Sequence, residues 1–440
     1  MKTKVVFLGG GSPFVPAMIK SLLERRSELD DVEIGLMDVD PSRLSTIEDF
    51  GRELSRRAGA SFNFFRTTDP TRALADADFV FPTYRVGGLE HMKYDIEIPT
   101  RYGVSGDETT GPGGTFMAQM TIPVTLEYCR MIEDLCPDSW VISVINPANA
   151  VGDAVFRKSD VNYVPVCDCH AGLAMETIPK ILDLEPKTRQ FATSEDFKPR
   201  SIGVNHMTWL VELKLAGKDA YDRLKREYSD YGGEKPHDQE PTGFSQRLLD
   251  LYGYINTCPT HVKPYWAQQE FLEERREEIF EERVLGWSEK RWGFIENFLD
   301  GAPYEDHPDE YCFSPHHANQ AIGLMMSILN DEGREWGGVN FINNGVIPNL
   351  PDGAVVEGPA SVDSSGLHPI NVGELPEQFV SVTRQIIHWQ QLTVDAALAG
   401  DRDLLLRALL ACPYLNDVDK AEALMHQLLR AHREYLPQYG

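Results

Sequence analysis

No stretch of this 440-residue sequence approaches the roughly 18 consecutive apolar residues of a membrane span. Internal repeats and low-complexity tracts are also missing, which argues against a solenoid, a collagen-like fibre or a long disordered tail. Basic residues are scarce: Lys+Arg is 42 against Asp+Glu 68, a formal net charge of −26. A field of that sign repels phosphate backbones and anionic bilayers, so no nucleic acid and no membrane is expected as a partner. A small-molecule ligand stays compatible wherever local dipoles or a few arginines outweigh the field. Cysteine is sparse and odd in number: Cys129, Cys136, Cys167, Cys169, Cys258, Cys312 and Cys412. That is no disulfide framework, and it suits a reducing compartment with one thiol used chemically. The apolar run Val5-Val6-Phe7-Leu8 is too short for a signal-peptide core. The expectation is a soluble cytoplasmic protein.

What is present reads as an ordinary globular chain of about two to three domains. Val5 to Leu8, Val32 to Met37, Ala77 to Phe81, Trp140 to Ile145 and Tyr163 to Cys167 are short apolar runs, the mark of strands buried on both faces. Helical patterns lie between them: from Pro13 to about Leu23, Pro41 to about Ala58, and roughly Met117 to Leu135. The alternation predicts an α/β fold, a Rossmann-type doubly wound parallel sheet over residues 1–195. The rhythm then changes. Ser201 to Leu215 reads as one long strand or a bent pair, and Phe271 to Glu278 as a charged, solvated helix. Asn344-Gly345 and Asp352-Gly353 read as turns, and about Gln378 to Leu436 as helix. Residues 196–440 are therefore expected to form a mixed α+β domain that closes over the first.

Gly9-Gly10-Gly11-Ser12 ends the first strand and opens a helix. Glycines let the backbone approach a pyrophosphate, and the helix N-terminus offers N–H donors and a positive dipole. Phe14 stands where the fingerprint has its third glycine. Ser12 adds a hydroxyl donor. Asp38 ends the second strand, where a carboxylate accepts from ribose hydroxyls and repels a 2′-phosphate. The pattern favours NAD over NADP, against the plainer reading of a tight turn beside a surface Asp.

Cys167-Asp168-Cys169-His170 closes the parallel block, and Asn205-His206 follows in the next. A thiolate and an imidazole from two chain positions make half of a divalent metal site, leaving other positions to substrate oxygens and water. The alternative is a buried free thiol and a core histidine. Asn146 ends a strand, where its amide would face the nicotinamide and a sugar hydroxyl; the alternative is an Asx turn.

Taken together, these segments resemble glycoside hydrolase family 4, the NAD- and metal-dependent glycosidases. The matching blocks run almost end to end: Gly9 to Ser12 and Asp38; Arg85-Val86-Gly87-Gly88; Asp95 to Pro99; Thr110-Gly111-Pro112-Gly113-Gly114; Thr121 to Val124; Asn146-Pro147; Cys169-His170; Gly203 to Trp209; Asn344 to Pro351; Val356 to Pro359; and Gly400-Asp401-Arg402. The resemblance implies a redox elimination rather than two-carboxylate hydrolysis. NAD takes hydride from C3 of the sugar, the metal polarises the C2 and C3 oxygens, a base removes the C2 proton, and the C1–O bond breaks. Water then adds and the hydride returns. The same resemblance implies that Cys169 and His206 hold the metal, most often manganese (Mn2+). Gly9, Gly11, Ser12 and Asp38 would hold NAD. Asn146, Asn205 and Arg85 would contact substrate, and a homodimer or homotetramer is expected.

Departures bear on the substrate. Members acting on 6-phosphorylated sugars carry an Arg soon after the Val-Gly-Gly block; here Met92 matches it, with Lys93 adjacent. His170 after Cys169, the Asp95 to Pro99 segment and Gly106-Asp107 resemble the branch acting on unphosphorylated α-hexosides and α-hexuronides. His170-Ala171-Gly172 matches no subgroup signature. In the segment Leu251 to Tyr265, where the family places its base, His261 falls closest to the expected Tyr and Tyr265 next. His261, Tyr265 and His170 are thus the candidate catalytic residues. The alternatives are a 6-phospho-glycosidase of the same family, an NAD dehydrogenase of the lactate/malate type, which shares the architecture, and an inactive sugar or NAD sensor.

Overall fold

The computed structural model describes residues 2–440 except 30, 61, 108, 185–195, 232–242, 277–284 and 305–314. The first half alternates strand and helix: β1 (Lys2–Leu8), α1 (Val15–Glu24), β2 (Asp31–Met37), α2 (Pro41–Arg57), β3 (Asn63–Thr67), α3 (Pro70–Leu74), β4 (Phe79–Pro82), α4 (Gly88–Arg101), α5 (Gly111–Leu135), β5 (Trp140–Ser143), α6 (Ala148–Lys158) and β6 (Asn162–Pro165). The strands pair in the order β3-β2-β1-β4-β5-β6, all parallel. This is the doubly wound order, with its switch point between β1 and β4.

Side chains alternate across a strand, and β1 shows the consequence. Val5 and Phe7 belong to one apolar cluster with Ile19 and Leu22 of α1 and Ile47 and Phe50 of α2. Val6 and Leu8 belong to another, with Ala118 and Ile122 of α5 and Val151 and Val155 of α6. The sheet is thereby covered on both faces, which is why its strands read as unbroken apolar runs. Asp40 caps α2 by accepting from the N–H groups of Ser42 and Arg43, just before Pro41 sets the first turn.

Past β6 the chain runs through α7 (Cys169–Gly172) and a single π turn, Leu173–Thr177, into α8 (Ile178–Ile181). A second sheet follows, built from β7 (Phe197–Val204), β8 (Met207–Leu215), β9 (Lys218–Asp219), β10 (Ile255–Asn256), β11 (Arg334–Ile342), β12 (Val355–Asp363) and β13 (Gly366–Pro369). Its order is β10-β8-β7-β12-β11, antiparallel throughout, with β9 beside β8 and β13 beside β12. Helices α9 (Tyr221–Asp230), α10 (Gly243–Tyr252), α11 (Pro259–Arg276), α12 (Gly286–Leu299) and α13 (Pro315–Leu329) lie between β9 and β11. The chain closes with α14 (Glu377–Ala399), α15 (Arg402–Ala411) and α16 (Val418–Ala431). Val394 and Ala397 of α14 join the α5–α6 side of the first sheet. Asn340 of β11 donates to the Pro165 carbonyl at the end of β6, 3.1 Å away. The two sheets therefore meet where the parallel strands end.

Some expectations shift. Of the two readings of Ser201 to Leu215, the bent pair is the one that forms: it is the β7–β8 hairpin, turning at Asn205 and His206. Helix α5 starts at Gly111, well before Met117, while β3 and α4 had no expected counterpart. The charged helix at Phe271 forms as the end of α11, and residues 277 and 278 lie outside the described residues. Among the described residues no helix is long and apolar enough to cross a membrane.

Candidate active site

Parallel strands present all their carboxyl ends at one edge, and the predicted site residues follow those ends. After β1, Gly9 takes a left-handed φ of +89°, and a Cβ there would meet the Tyr84 nitrogen at 2.5 Å. The Gly9 and Gly10 N–H groups both donate to the Met37 carbonyl, at 2.9 and 2.7 Å. Asp38 is tied to the same loop: Oδ2 accepts from the Gly11 N–H at 3.0 Å and Oδ1 from the Asp40 N–H at 3.0 Å. Ser12 Oγ accepts from the Phe14 N–H at 3.3 Å, which leaves its own proton to donate. No side chain caps α1. A backbone-lined turn, an uncapped helix N-terminus and a carboxylate at the end of β2 are the parts a dinucleotide requires, so these residues fit NAD. The Phe14 ring, in place of the third glycine, carries the Arg291 guanidinium at 4.1 Å.

Arg85 follows β4, with Nη1 donating to Met117 Sδ at 3.2 Å. Asn146 follows β5, half-buried, and its bond to Pro147 is cis. Cys169 follows β6 on the first turn of α7. His206 reaches it from the β7–β8 turn, where it holds a left-handed φ of +65°. Cys169 Sγ and His206 Nδ1 stand 3.2 Å apart, both buried. A soft sulfur and an imidazole nitrogen converging in this way fit a divalent ion.

Two further thiols crowd the same imidazole. Cys167 Sγ lies 3.5 Å from Cys169 Sγ and 4.0 Å from His206 Nε2. Cys258 Sγ lies 3.2 Å from His206 Nδ1 and 3.0 Å from His261 Nδ1. Burial disfavours a charged His206, but the Cys167 and Cys258 sulfurs outweigh it and raise its pKa well above the ordinary value. Glu357 of β12 is buried beneath this group. Burial, reinforced by Cys167 and opposed by His206, pushes its carboxyl up to about 8. Asn205 is buried beside Glu357.

His261, one turn into α11, stacks on His206 with ring centroids 4.1 Å apart. Its Nε2 lies 3.6 Å from Asp107 Oδ2. Burial lowers the His261 pKa, yet Cys258 and Asp107 more than offset that and hold it at about 9. Asp107 is itself fixed, its Oδ1 accepting from Thr109 and Thr110 N–H groups at 2.6 and 3.0 Å. Tyr265, one turn beyond His261, sits edge-on to Tyr414 at 5.1 Å, and burial followed by the Cys412 and Asp107 charges raises its phenol well above 10. His170 does not join the group: its Nδ1 meets Ser201 Oγ at 2.8 Å and its ring packs against Gly337 and Gly338. Sequence reasoning assigned no role to Cys167, Cys258, Asp107, Tyr414 or Glu357. The spacing Cys258-x-x-His261 was the one local signal available.

The sequence matches the model of the family 4 glycosyl hydrolases over residues 4–184 and that of their C-terminal domain over 201–414. The chain belongs to the family 4 glycosyl hydrolases. It is a glycoside hydrolase, and the dehydrogenase and sensor alternatives fall away. Among curated relatives it is similar to a probable 6-phospho-beta-glucosidase of Bacillus subtilis, 30% identical over 99% of this chain and 98% of the relative. An alpha-galactosidase of the same organism is 27% identical over 99% of each. Among solved structures, a 6-phospho-alpha-glucosidase from gut microorganisms, in complex with NAD and Mn2+, superposes with a TM-score of 0.88. That pair shares 23% identity and covers 99% of both chains. The likeness shows a common fold.

Proposed function

We propose that this glycosidase cleaves an unphosphorylated α-hexoside or α-hexuronide by redox elimination, with NAD and a divalent metal, Mn2+ as in the solved relative. The observation that carries the proposal is the Cys169–His206 pair, 3.2 Å apart, at the strand edge that also bears the Gly9 to Ser12 turn. When bound, NAD supplies a hydride acceptor and the metal a Lewis acid, so that an oxidised C3 renders the C2 proton acidic and C1–O cleavage an elimination.

The chain's own residues supply the rest. The Ser12 hydroxyl and the uncapped N-terminus of α1 hold the pyrophosphate, which the Gly9 to Gly11 backbone lets approach, and Asp38 the ribose. Cys169 and His206 hold the metal. Asn146, Asn205 and Arg85 orient the sugar. His261 and Tyr265 flank Asp107 and are the groups placed to move a proton. Once Nε2 has lost its proton, which a pKa of about 9 favours at alkaline pH, and with Nδ1–H donating to Cys258 Sγ, His261 can accept the C2 proton, and the Asp107 carboxylate stabilises the imidazolium that results. His170, walled off by Ser201 and the glycines of β11, is assigned to positioning α7 rather than to proton transfer. The 6-phospho-glycosidase alternative is favoured by the B. subtilis relative's name; the Met92 side chain on α4 favours the unphosphorylated substrate.

Turnover in D2O tests the mechanism. The released sugar should carry deuterium at C2 with no net NADH, and EDTA should abolish activity until Mn2+ is restored. Full activity after EDTA, or protium kept at C2, would overturn it.

A further inference from the structure

Cys258 is a buried cysteine whose one task so far is to accept from His261 Nδ1. Its placement is fixed by the same strand that follows His206. Strand β10 pairs with β8, Asn256 against Trp209. The Asn256 side chain donates to the Thr208 carbonyl at 2.9 Å, and the Thr257 N–H donates to that carbonyl at 3.0 Å. Asn256 Oδ1 then accepts from the Cys258 N–H at 2.8 Å. This chain of bonds delivers the Cys258 sulfur to 3.2 Å from His206 Nδ1, the distance at which Cys169 Sγ stands from the same nitrogen. Cys169 and Cys258 pack in one buried cluster with Cys167. One ring nitrogen holds at most one proton, so it cannot bond both sulfurs as a donor. A cation among the three satisfies all of them. Sulfur at about 2.3 Å and nitrogen at about 2.0 Å from a tetrahedral ion stand roughly 3.5 Å apart, close to what is seen.

We propose that Cys258 is a third protein ligand of the metal, so that Cys169, Cys258 and His206 Nδ1 form a two-sulfur, one-nitrogen set. The inference rests on the reading that Cys169 and His206 hold the metal. Cys167 lies on the side of the other ring nitrogen, 4.0 Å from Nε2, and is outside the set. His261 Nδ1 at 3.0 Å from Cys258 Sγ orients that thiolate by donating to it. Two thiolates make the site softer than a Cys–His pair, which biases it toward Zn2+ and Co2+ over Mn2+. Three protein ligands still leave a position open for substrate oxygen.

The full-length protein, stripped of metal and reloaded with Zn2+ or Co2+, gives the test. X-ray absorption at the zinc edge of the unaltered protein should show two sulfur neighbours; one, or three, overturns the proposal. In Cys258→Ser the thiolate-to-Co2+ charge-transfer band should fall by about half. Zn2+ affinity should drop at least tenfold, and Mn2+ affinity should change less. NAD binding, read separately, reports whether the variant has folded. If Cys169→Ser loses the band while Cys258→Ser keeps it and its Zn2+ affinity, the proposal fails and the Cys169–His206 site stands. If neither Cys169→Ser nor His206→Ala alters metal binding, the underlying reading fails.

Discussion

Asp38 carries two tasks on one carboxylate. It braces the Gly11 N–H at 3.0 Å, and in the proposed complex it accepts from the ribose. Removing it disturbs both. Asp38→Ala should weaken NAD binding tenfold or more, about 1.4 kcal/mol. Asp38→Asn keeps an acceptor for Gly11 but sheds the charge that repels a 2′-phosphate, so its NADP-to-NAD affinity ratio should rise. Calorimetric titration with both nucleotides measures this, and unchanged NAD affinity in the Ala variant speaks against the assignment. His170 shows a different use of a histidine. Burial alone holds its pKa down at about 4, against about 6.5 for the unfolded chain. Its neutral ring contributes stability that is fully present above pH 6.5. As the pH falls toward 4 the unfolded chain takes up a proton the fold refuses, and up to about 3 kcal/mol is lost. Wild-type Tm should therefore fall over that window, and His170→Gln should remove that part of the slope. A variant with an unchanged acid slope would show that His170 titrates freely.

At the level of elements, α5 tests how close two backbones must come. A Cβ on Gly113 would lie 2.0 Å from the Asp107 carbonyl oxygen and 2.4 Å from that of Asp95. Neither is a movable side-chain end. Gly113→Ala should thus cost about 1–3 kcal/mol or more in overpacking. Because the strain falls on Asp107, 3.6 Å from His261, kcat should fall while NAD affinity holds. An unshifted Tm together with normal kcat would contradict this. The same glycines explain what sequence reading missed. Gly111-Pro112-Gly113-Gly114 reads as a helix breaker, yet Pro112 suits a first turn that needs no N–H, and tertiary contact demands the glycines. Strand β3 escaped because Phe64 is the one buried residue of its five and its apolar run is just Phe64-Phe65. The β1–Gly–α1–β2–Asp38 unit was legible because it is local and its strands are buried on both faces. The Cys169–His206 pair needed the family resemblance. Cys258 was beyond reach, since nothing local links it to His206 until β10 pairs with β8.

Over the whole molecule, charge and site chemistry bear on the substrate together. With a net charge of −26, long-range steering works against any anion and more against a phosphate dianion than a carboxylate. A compensating local cation would have to act at the mouth of the parallel sheet. By the family resemblance, Met92 on α4 matches the position where members acting on 6-phosphorylated sugars would carry an Arg, and Lys93 beside it is paired with Glu97 at 3.6 Å. A phosphate desolvated without a cationic partner costs several kcal/mol. A single carboxylate, or none, costs less, and in the proposed complex Arg85, just past β4, is the residue to meet one. The expected order of kcat/KM is therefore α-glucuronide, α-galacturonide or α-glucoside above the matched 6-phospho-α-glucoside, by at least tenfold or about 1.4 kcal/mol of transition-state binding. Met92→Arg should narrow that gap by raising kcat/KM on the phosphosugar, with the neutral glucoside little changed. If the unaltered enzyme prefers the phosphosugar tenfold, another cation has taken the arginine's place and the substrate proposal fails, while the family and the redox chemistry are untouched.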